Sequence, residues 1–204
     1  MVLIRHPENL AAGWWQYAGM PELSANDALE VTIRRARASD ARLIATWRGM
    51  EELGRYQPLV PMAPGELKRR LRREGGSSLD TESGNRITWI VEADGAGAGW
   101  VSLFNIDWIH RTATLSFNVA PWAQGKGVGR RGVSLVLDRA VGGGLLRRVE
   151  ADCDVDNEAS HRLLERLGFQ REGRLRSMAA MPQGRRDFFL YSLLSEEWPP
   201  PPAA

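Results

Sequence analysis

The amino-acid sequence predicts a mixed α/β domain. Three observations support this fold class. Strand-like runs with a two-residue alternation occur between runs with helical spacing, in the order βααβββαβαββ. Glycine, proline and other turn residues separate these runs. The 204 residues, of which 43% are hydrophobic, are enough to build one packed domain and give no sign of a second.

The first 30 residues lack a clear periodicity and are interpreted as an N-terminal extension of the domain, which itself spans residues 31–195. Aromatic side chains at Trp14, Trp15 and Tyr17 pack onto the domain or line a substrate or dimer site, and both interpretations remain open. The domain begins with a strand-like run at residues 31–34.

Two helices follow the first strand. Ser39 is a predicted N-cap for an amphipathic helix that runs to about Leu53, and a second helix follows Pro64. The second helix contains a basic run at residues 67–73. We interpret this run as a solvated helix face, with binding of phosphates or an acidic partner as the alternative.

The remaining elements alternate between strands and helices. Three strands at residues 87–93, 99–106 and 112–119 form a predicted antiparallel meander. A helix that contains Val128 and Leu137 is expected to end at the glycines of residues 142–144. The last predicted elements are a strand at 148–154, a helix at 158–167, and strands at about 169–175 and 187–194. The proline-rich tail, residues 196–204, is expected to be extended and mobile.

Composition narrows the function classes. A formal charge of +2 gives no reason to expect binding to nucleic acid, and no apolar run is long enough for a membrane helix. The single cysteine, Cys153, lies in a predicted strand and is interpreted as a small core residue, which agrees with a cytoplasmic location. Three scattered histidines and one cysteine give no credible metal site.

The glycine-rich segment at residues 124–129 lies between a predicted strand and a helix. Such a turn exposes backbone N–H groups at the positive end of the helix dipole, and this combination binds phosphate. The segment is neither a Walker loop nor a dinucleotide fingerprint. By itself it is equally consistent with a tight turn that binds nothing.

A second segment, Asn157-Glu158-Ala159-Ser160, opens the next helix, and its Asn and Ser are first of all capping residues. In this order, and about thirty residues apart, the two segments resemble the Gln/Arg-x-x-Gly-x-Gly/Ala and Asn-x-x-Ser/Ala motifs of the GNAT superfamily of N-acetyltransferases. Residues 168–173, with Arg176, Gly184, Arg186, Asp187 and residues 191–194, are similar to the C-terminal signature of the RimJ/RimL-like branch.

The resemblance implies a central, mostly antiparallel, V-shaped sheet that splays between its fourth and fifth strands and holds acyl-coenzyme A there. The backbone of residues 124–129 would bind the pyrophosphate, the preceding strand would pair with the pantetheine amides, and the Asn-x-x-Ser segment would lie beside the pantetheine arm and the thioester. The implied coenzyme-binding residues are Phe117, Asn118, Val119, Gln124, Gly125, Lys126, Gly127, Val128, Gly129, Asn157 and Ser160.

The catalytic groups are less well defined by the resemblance. Thr114 and Leu164 stand where many GNAT enzymes have a Glu base and a Tyr acid. Ser160 is therefore the candidate proton donor, acting through water, with a helix-capping role as the alternative. His161, expected to face solvent, and His110, expected in a hairpin turn with Asp107, are further candidate bases.

The resemblance implies an N-acyltransferase that moves an acetyl or related acyl group from acyl-coenzyme A directly to a primary amine, without a covalent enzyme intermediate. The acceptor would be a protein N-terminus or a small amine, and a homodimer is compatible with the family. The missing Glu and Tyr motivate an alternative, a catalytically silent acyl-coenzyme A sensor or interaction protein.

Overall fold

A seven-stranded sheet organises the computed structural model, which describes residues 29–182 and 184–199. The strands are Val31–Arg35 (β1), Arg86–Ala93 (β2), Ala96–Asp107 (β3), Thr112–Val119 (β4), Arg148–Asp154 (β5), Gln170–Met181 (β6) and Gly184–Leu194 (β7). Their order in the sheet is β1-β2-β3-β4-β5-β7-β6. The predicted meander, with β1 added at its outer edge, therefore forms one half of the sheet, and the last three strands form the other half.

The two halves meet at the single parallel pairing of the sheet. All other neighbouring strands are antiparallel, whereas β4 and β5 run parallel and pair at only three positions, the last of them between Thr114 and Glu150. Beyond this pair the two strands separate. The structure confirms the predicted mixed sheet and its splay between the fourth and fifth strands.

Helices cover both faces of the sheet. They are Ala41–Arg48 (α1), Glu51–Gly54 (α2), Pro64–Glu74 (α3), Val128–Leu137 (α4) and Glu158–Arg166 (α5). Successive side chains of a strand point to opposite faces, so Trp89 and Val91 of β2 pack in the core with α4 and α5, while Ile90 packs with α1 and α3. Two apolar layers thus hold the sheet between the two groups of helices.

The predicted helix from Ser39 to Leu53 is wrong in two respects. The helix is interrupted at Gly49, after which the short α2 begins. At its start the carboxylate of Asp40, not the hydroxyl of Ser39, satisfies a free backbone group, because it accepts the Arg37 N–H at 2.7 Å. Glycine is a poor helix former, which favours a break at this position.

The C-terminal part of the chain is more ordered than the sequence predicted. Strands β6 and β7 are each longer than expected. The tail does not become extended at residue 196, because Ser195–Glu197 form a 3-10 turn and the indole N–H of Trp198 donates to Asp138 Oδ1 at 3.1 Å. Residues 200–204 lie outside the described residues, as does nearly all of the predicted N-terminal extension, residues 1–28. Among the described helices, none has the length and apolar character needed to cross a bilayer.

Candidate active site

A cleft of about 1060 Å³ opens where β4 and β5 separate. One wall is the end of β4, and a second wall is formed by α5 along its length. The third is the turn that leads into α4, and the last is formed by α2 and the loop after it. Every residue of the predicted coenzyme site lines this cleft except Lys126. The two segments singled out in the sequence are therefore brought together on one cavity.

The glycine-rich turn presents its backbone to the cleft. Gly127 is the N-cap of α4 and adopts a left-handed conformation, with φ of 77°, which glycine adopts without strain. The first N–H that bonds back to this turn is that of Arg131, which donates to the Gly127 carbonyl at 3.0 Å. The N–H groups just before Arg131 have no helical acceptor, and they lie at the positive end of the helix dipole.

Two residues of the turn, Val128 and Gly129, pack closely against their neighbours and so fix the position of the turn. A Cβ on Gly129 would come within 2.9 Å of a Val119 methyl and 3.1 Å of a Leu163 methyl, so the absence of a side chain lets α4 approach both β4 and α5. Val128 is fully buried in the core. It can offer only its main chain to a ligand.

The edge of β4 that faces the cleft carries the backbone groups of Phe117 and Val119. The Ala120 N–H bonds to Ala98 of β3 at 2.8 Å, and backbone groups alternate between the two edges of a strand. The main chain of Asn118 therefore faces β3, unlike in the predicted pantetheine pairing. Asn118 therefore faces the cleft with its buried side-chain amide and not with its main chain.

Gln57, in the loop after α2, is a site residue that the sequence did not predict. Its Nε2 donates to the Phe117 carbonyl at 3.3 Å, and its Oε1 accepts from Asn118 Nδ2 at 3.1 Å. The Val119 carbonyl is bonded similarly, by Gln124 Nε2 at 3.0 Å. Two glutamine side chains thus hold the cleft-facing edge of β4, and Gln57 fastens the loop to it.

The first turn of α5 places Asn157 and Ser160 on the opposite wall. The Asn157 side chain caps the helix, since its Oδ1 accepts the Ser160 N–H at 3.2 Å, and the side-chain amide nitrogen takes no part in this bond. Ser160 is 8% exposed and lines the cleft. The capping role is therefore present, and both residues also face the cavity.

An ion-pair network fixes the turn between β5 and α5. Asp154 is 1% exposed and receives two hydrogen bonds from Arg186 of β7, at 2.8 and 2.9 Å. The same carboxylate accepts the Asp156 N–H at 2.9 Å, and the Asp154 carbonyl accepts the Asn157 N–H at 2.9 Å. Arg186 thereby anchors the backbone that leads directly into Asn157.

Comparison with known proteins identifies the family. The acetyltransferase (GNAT) domain model matches residues 30–170, which is more than half of the chain. The chain belongs to the GNAT acetyltransferases. The match covers the meander, the glycine-rich turn and the first turn of α5.

Individual relatives agree with this assignment. YdaF of Bacillus subtilis (strain 168), which carries the name ribosomal N-acetyltransferase, is 33% identical over 105 residues, covering 52% of this chain and 57% of that protein. Spermidine N(1)-acetyltransferase of Escherichia coli (strain K12) is 34% identical over 87 residues, 43% of this chain and 47% of that protein. The ribosomal relative fits the RimJ/RimL-like branch predicted from residues 168–194.

A solved structure supports the fold. The spermidine N-acetyltransferase of Vibrio cholerae, in complex with CoA and spermine, superposes with a TM-score of 0.73 at 24% identity, over 81% of this chain and 96% of that chain. At this identity the similarity establishes the common fold.

Two positions at which many GNAT enzymes have acid–base residues are occupied differently here. Thr114 forms the last pair between β4 and β5, directly below the splay, and it carries no carboxylate. Leu164 is fully buried in the core and does not line the cleft. Neither side chain supplies an acid or a base to the cleft.

The expectation that His161 faces solvent is wrong. Its Nδ1 lies 3.1 Å from both Cys153 Sγ and the Tyr191 hydroxyl, and its Nε2 lies 3.2 Å from the Val155 carbonyl. A carbonyl only accepts, so Nε2 carries the hydrogen, and Nδ1 is the acceptor in the neutral ring. Because β7 brings Tyr191 against α5, the His161 ring packs against β5 and β7 and does not line the cleft.

His110 is also remote from the cleft. It lies in the turn between β3 and β4 with Asp107, as predicted, and its Nδ1 is 2.9 Å from Asp107 Oδ2. Hydrogen bonds from this histidine, first from its backbone N–H and then from its ring, lower the pKa of Asp107. The turn is at the start of β4, whereas the cleft is at its end. Neither candidate histidine is placed to act as the base.

Cys153 is expected to resist alkylation in the folded protein. It is 7% exposed, and burial, assisted by nearby carboxylates, raises the pKa of its thiol to about 12. The thiolate is the reactive form, so at pH 8 almost none is present. Iodoacetamide followed by mass spectrometry should show slow labelling of the native protein and complete labelling after unfolding. Rapid native labelling would contradict the core role.

Proposed function

We propose that this chain is an N-acyltransferase that moves an acetyl or related acyl group from acyl-coenzyme A directly to a primary amine. The observation that carries the proposal is the meeting of the glycine-rich turn and the Asn157–Ser160 turn on one cleft, opened by the separation of β4 and β5. Family membership supports the same reaction class.

The donor fits this cleft in three places. The N–H groups of the turn at residues 125–130 offer an anion site for the pyrophosphate. The Phe117 and Val119 edge of β4 offers main-chain N–H groups to the pantetheine carbonyls, in the manner of an added strand, while the carbonyls of this edge accept from Gln57 and Gln124. The side-chain amide of Asn157, which lines the same cleft, offers a further hydrogen bond to the pantetheine arm.

The reaction requires a neutral amine, stabilisation of the oxyanion and a proton for the departing thiolate. The cleft holds the donor in one orientation and lets the amine reach the thioester carbon from the side of α2 and Gln57. Proximity of the two reactants provides much of the acceleration. Ser160 lies on the α5 wall and is the proposed proton donor, acting through a bound water.

The acceptor class is a primary amine on either a protein N-terminus or a small molecule. One relative carries a ribosomal name, and another is a spermidine acetyltransferase, so both kinds of acceptor occur among similar proteins. On the α2 side, Glu52 lines the cleft. A carboxylate there favours approach of a cationic amine.

The function is tested by incubating the purified protein with acetyl-coenzyme A and panels of peptides and small amines, measuring thiol release, and identifying acetylated products by mass spectrometry. Turnover with at least one amine class is expected. Tight binding of the coenzyme without turnover on any amine would favour the alternative, a silent acyl-coenzyme A sensor. No binding of the coenzyme would contradict both functions.

Ser160→Ala is expected to lower kcat by about tenfold. This is less than the ~100-fold or more that a direct acid–base group contributes, because here the proton passes through a bound water. The Kd for acetyl-coenzyme A should change by less than about twofold. Steady-state kinetics and calorimetric titration measure the two quantities separately. Equal losses in kcat and affinity would show that Ser160 binds the donor and does not deliver the proton.

A further inference from the structure

A second cavity, of about 340 Å³, adjoins the coenzyme cleft. It lies between the first turns of α4 and the end of α5. Gly127, Arg130 and Arg166 line both cavities. The glycine turn is therefore the boundary between the two spaces, and a ligand bound to its backbone can extend into either.

The walls of the second cavity are strongly basic. Three arginines line it, Arg130, Arg131 and Arg166. Within the part of the chain that the structure describes, none of them forms an ion pair with a carboxylate. The acidic residue on the wall, Asp138, already accepts a hydrogen bond from the Trp198 indole. The three guanidinium groups outnumber this one carboxylate, and the net positive charge of the cavity favours an anion with several acceptor oxygens.

The outer wall of this cavity comes from the C-terminal segment. Trp198 and Pro199 line the cavity, and the indole lies against Gly142, where a Cβ would be 3.6 Å from the ring. This contact holds the segment against the helical turn that follows α4, Asp138–Gly142. The cavity is thus bounded on one side by a part of the chain beyond the matched GNAT domain.

We propose that the second cavity binds the ribose 3′-phosphate of acyl-coenzyme A, and that Arg131, with Arg130 and Arg166, makes the protein select coenzyme A over dephospho-coenzyme A. This inference rests on the proposed function, in which the pyrophosphate occupies the glycine turn. The ribose phosphate is joined to that pyrophosphate through the ribose alone. A pyrophosphate on Gly127 therefore brings the 3′-phosphate to the arginines of the adjoining cavity.

The two ligands that test this selectivity differ only in the 3′-phosphate. Arg131 is the residue to change, because it lines the second cavity and not the coenzyme cleft. Arg131→Gln keeps a polar side chain of similar length at an exposed position, so folding is preserved. Arg139→Gln is the matched control, because it removes an exposed arginine from the same helical segment outside both cavities.

Calorimetric titration measures the affinity of the wild type and of both variants for coenzyme A and for dephospho-coenzyme A. The wild type should bind coenzyme A at least about tenfold more tightly than dephospho-coenzyme A, as expected for charge-assisted hydrogen bonds. Arg131→Gln should lose most of this preference by weakening coenzyme A alone, whereas Arg139→Gln should retain it.

Equal wild-type affinity for the two ligands would overturn the inference while leaving the proposed function intact. Equal weakening of both ligands by Arg131→Gln would also overturn it, because a general electrostatic effect does not distinguish the 3′-phosphate. Binding of neither ligand by the wild type would contradict the proposed function itself.

Discussion

Gly127→Glu is expected to weaken acetyl-coenzyme A binding by roughly 100-fold. The substitution places a carboxylate beside the proposed pyrophosphate position. Two like charges about 5 Å apart, at an effective dielectric constant of about 20, repel by about 3 kcal/mol, and this energy corresponds to roughly two orders of magnitude in Kd. Calorimetric titration of wild type and variant measures the effect directly.

Gly144→Glu is the matched control for this substitution. Gly144 has φ of 73°, close to the 77° of Gly127, and a Cβ at either position would meet no atom within 4 Å. The two variants therefore carry the same new charge and similar backbone strain. Only Gly127 lines the cleft. Comparable thermal stability with an affinity loss confined to Gly127→Glu is expected, and unchanged affinity in a folded Gly127→Glu would refute the pyrophosphate placement.

Arg186→Met is expected to lower kcat/KM for acetyl-coenzyme A by about 10- to 100-fold, although Arg186 does not line the cleft. Removal of the guanidinium leaves the buried Asp154 without its partner and frees the turn that carries Asn157. Small displacements of groups that position a substrate can cost ~100-fold in rate. Arg186→Lys keeps the charge but not the two-pronged geometry, so an intermediate loss is expected.

Arg174→Met is the control for Arg186, because Arg174 lies in the same hairpin and forms an exposed ion pair with Asp187 at 2.7 Å. Its loss should leave kcat/KM nearly unchanged, as is usual for surface pairs. Circular dichroism of each variant separates loss of fold from loss of positioning. Equal activity of folded Arg186→Met and wild type would contradict a positioning role for Arg186.

The elements that the sequence predicted well are those with strong local signals. Strand alternation and turn glycines located β2, β4 and β5 closely, and the glycines at residues 142–144 marked the end of the α4 region. The prediction of the helix after Ser39 was less accurate, because the helical periodicity of the sequence continues through Gly49, although the helix ends there. The hydrogen bond that fixes Trp198 was missed because its acceptor, Asp138, is 60 positions away in the sequence.

The candidate site shows the same division between local and long-range information. The turn at residues 124–129 and the Asn157 cap are local patterns and were predicted, and they lie on one cleft. Gln57 was missed because its loop has no periodicity and its bond to Phe117 joins residues 60 positions apart. His161 was misplaced because helical geometry alone does not reveal that β7 brings Tyr191 against α5.

The most direct test of the coenzyme site is an NMR titration of ¹⁵N-labelled protein with acetyl-coenzyme A. We expect the largest amide shifts at Gly125, Gly127 and Gly129, with smaller shifts at Phe117 and Val119 on the edge of β4. Saturating shifts elsewhere, with the three glycine amides unmoved, would contradict the assignment of the pyrophosphate to this turn.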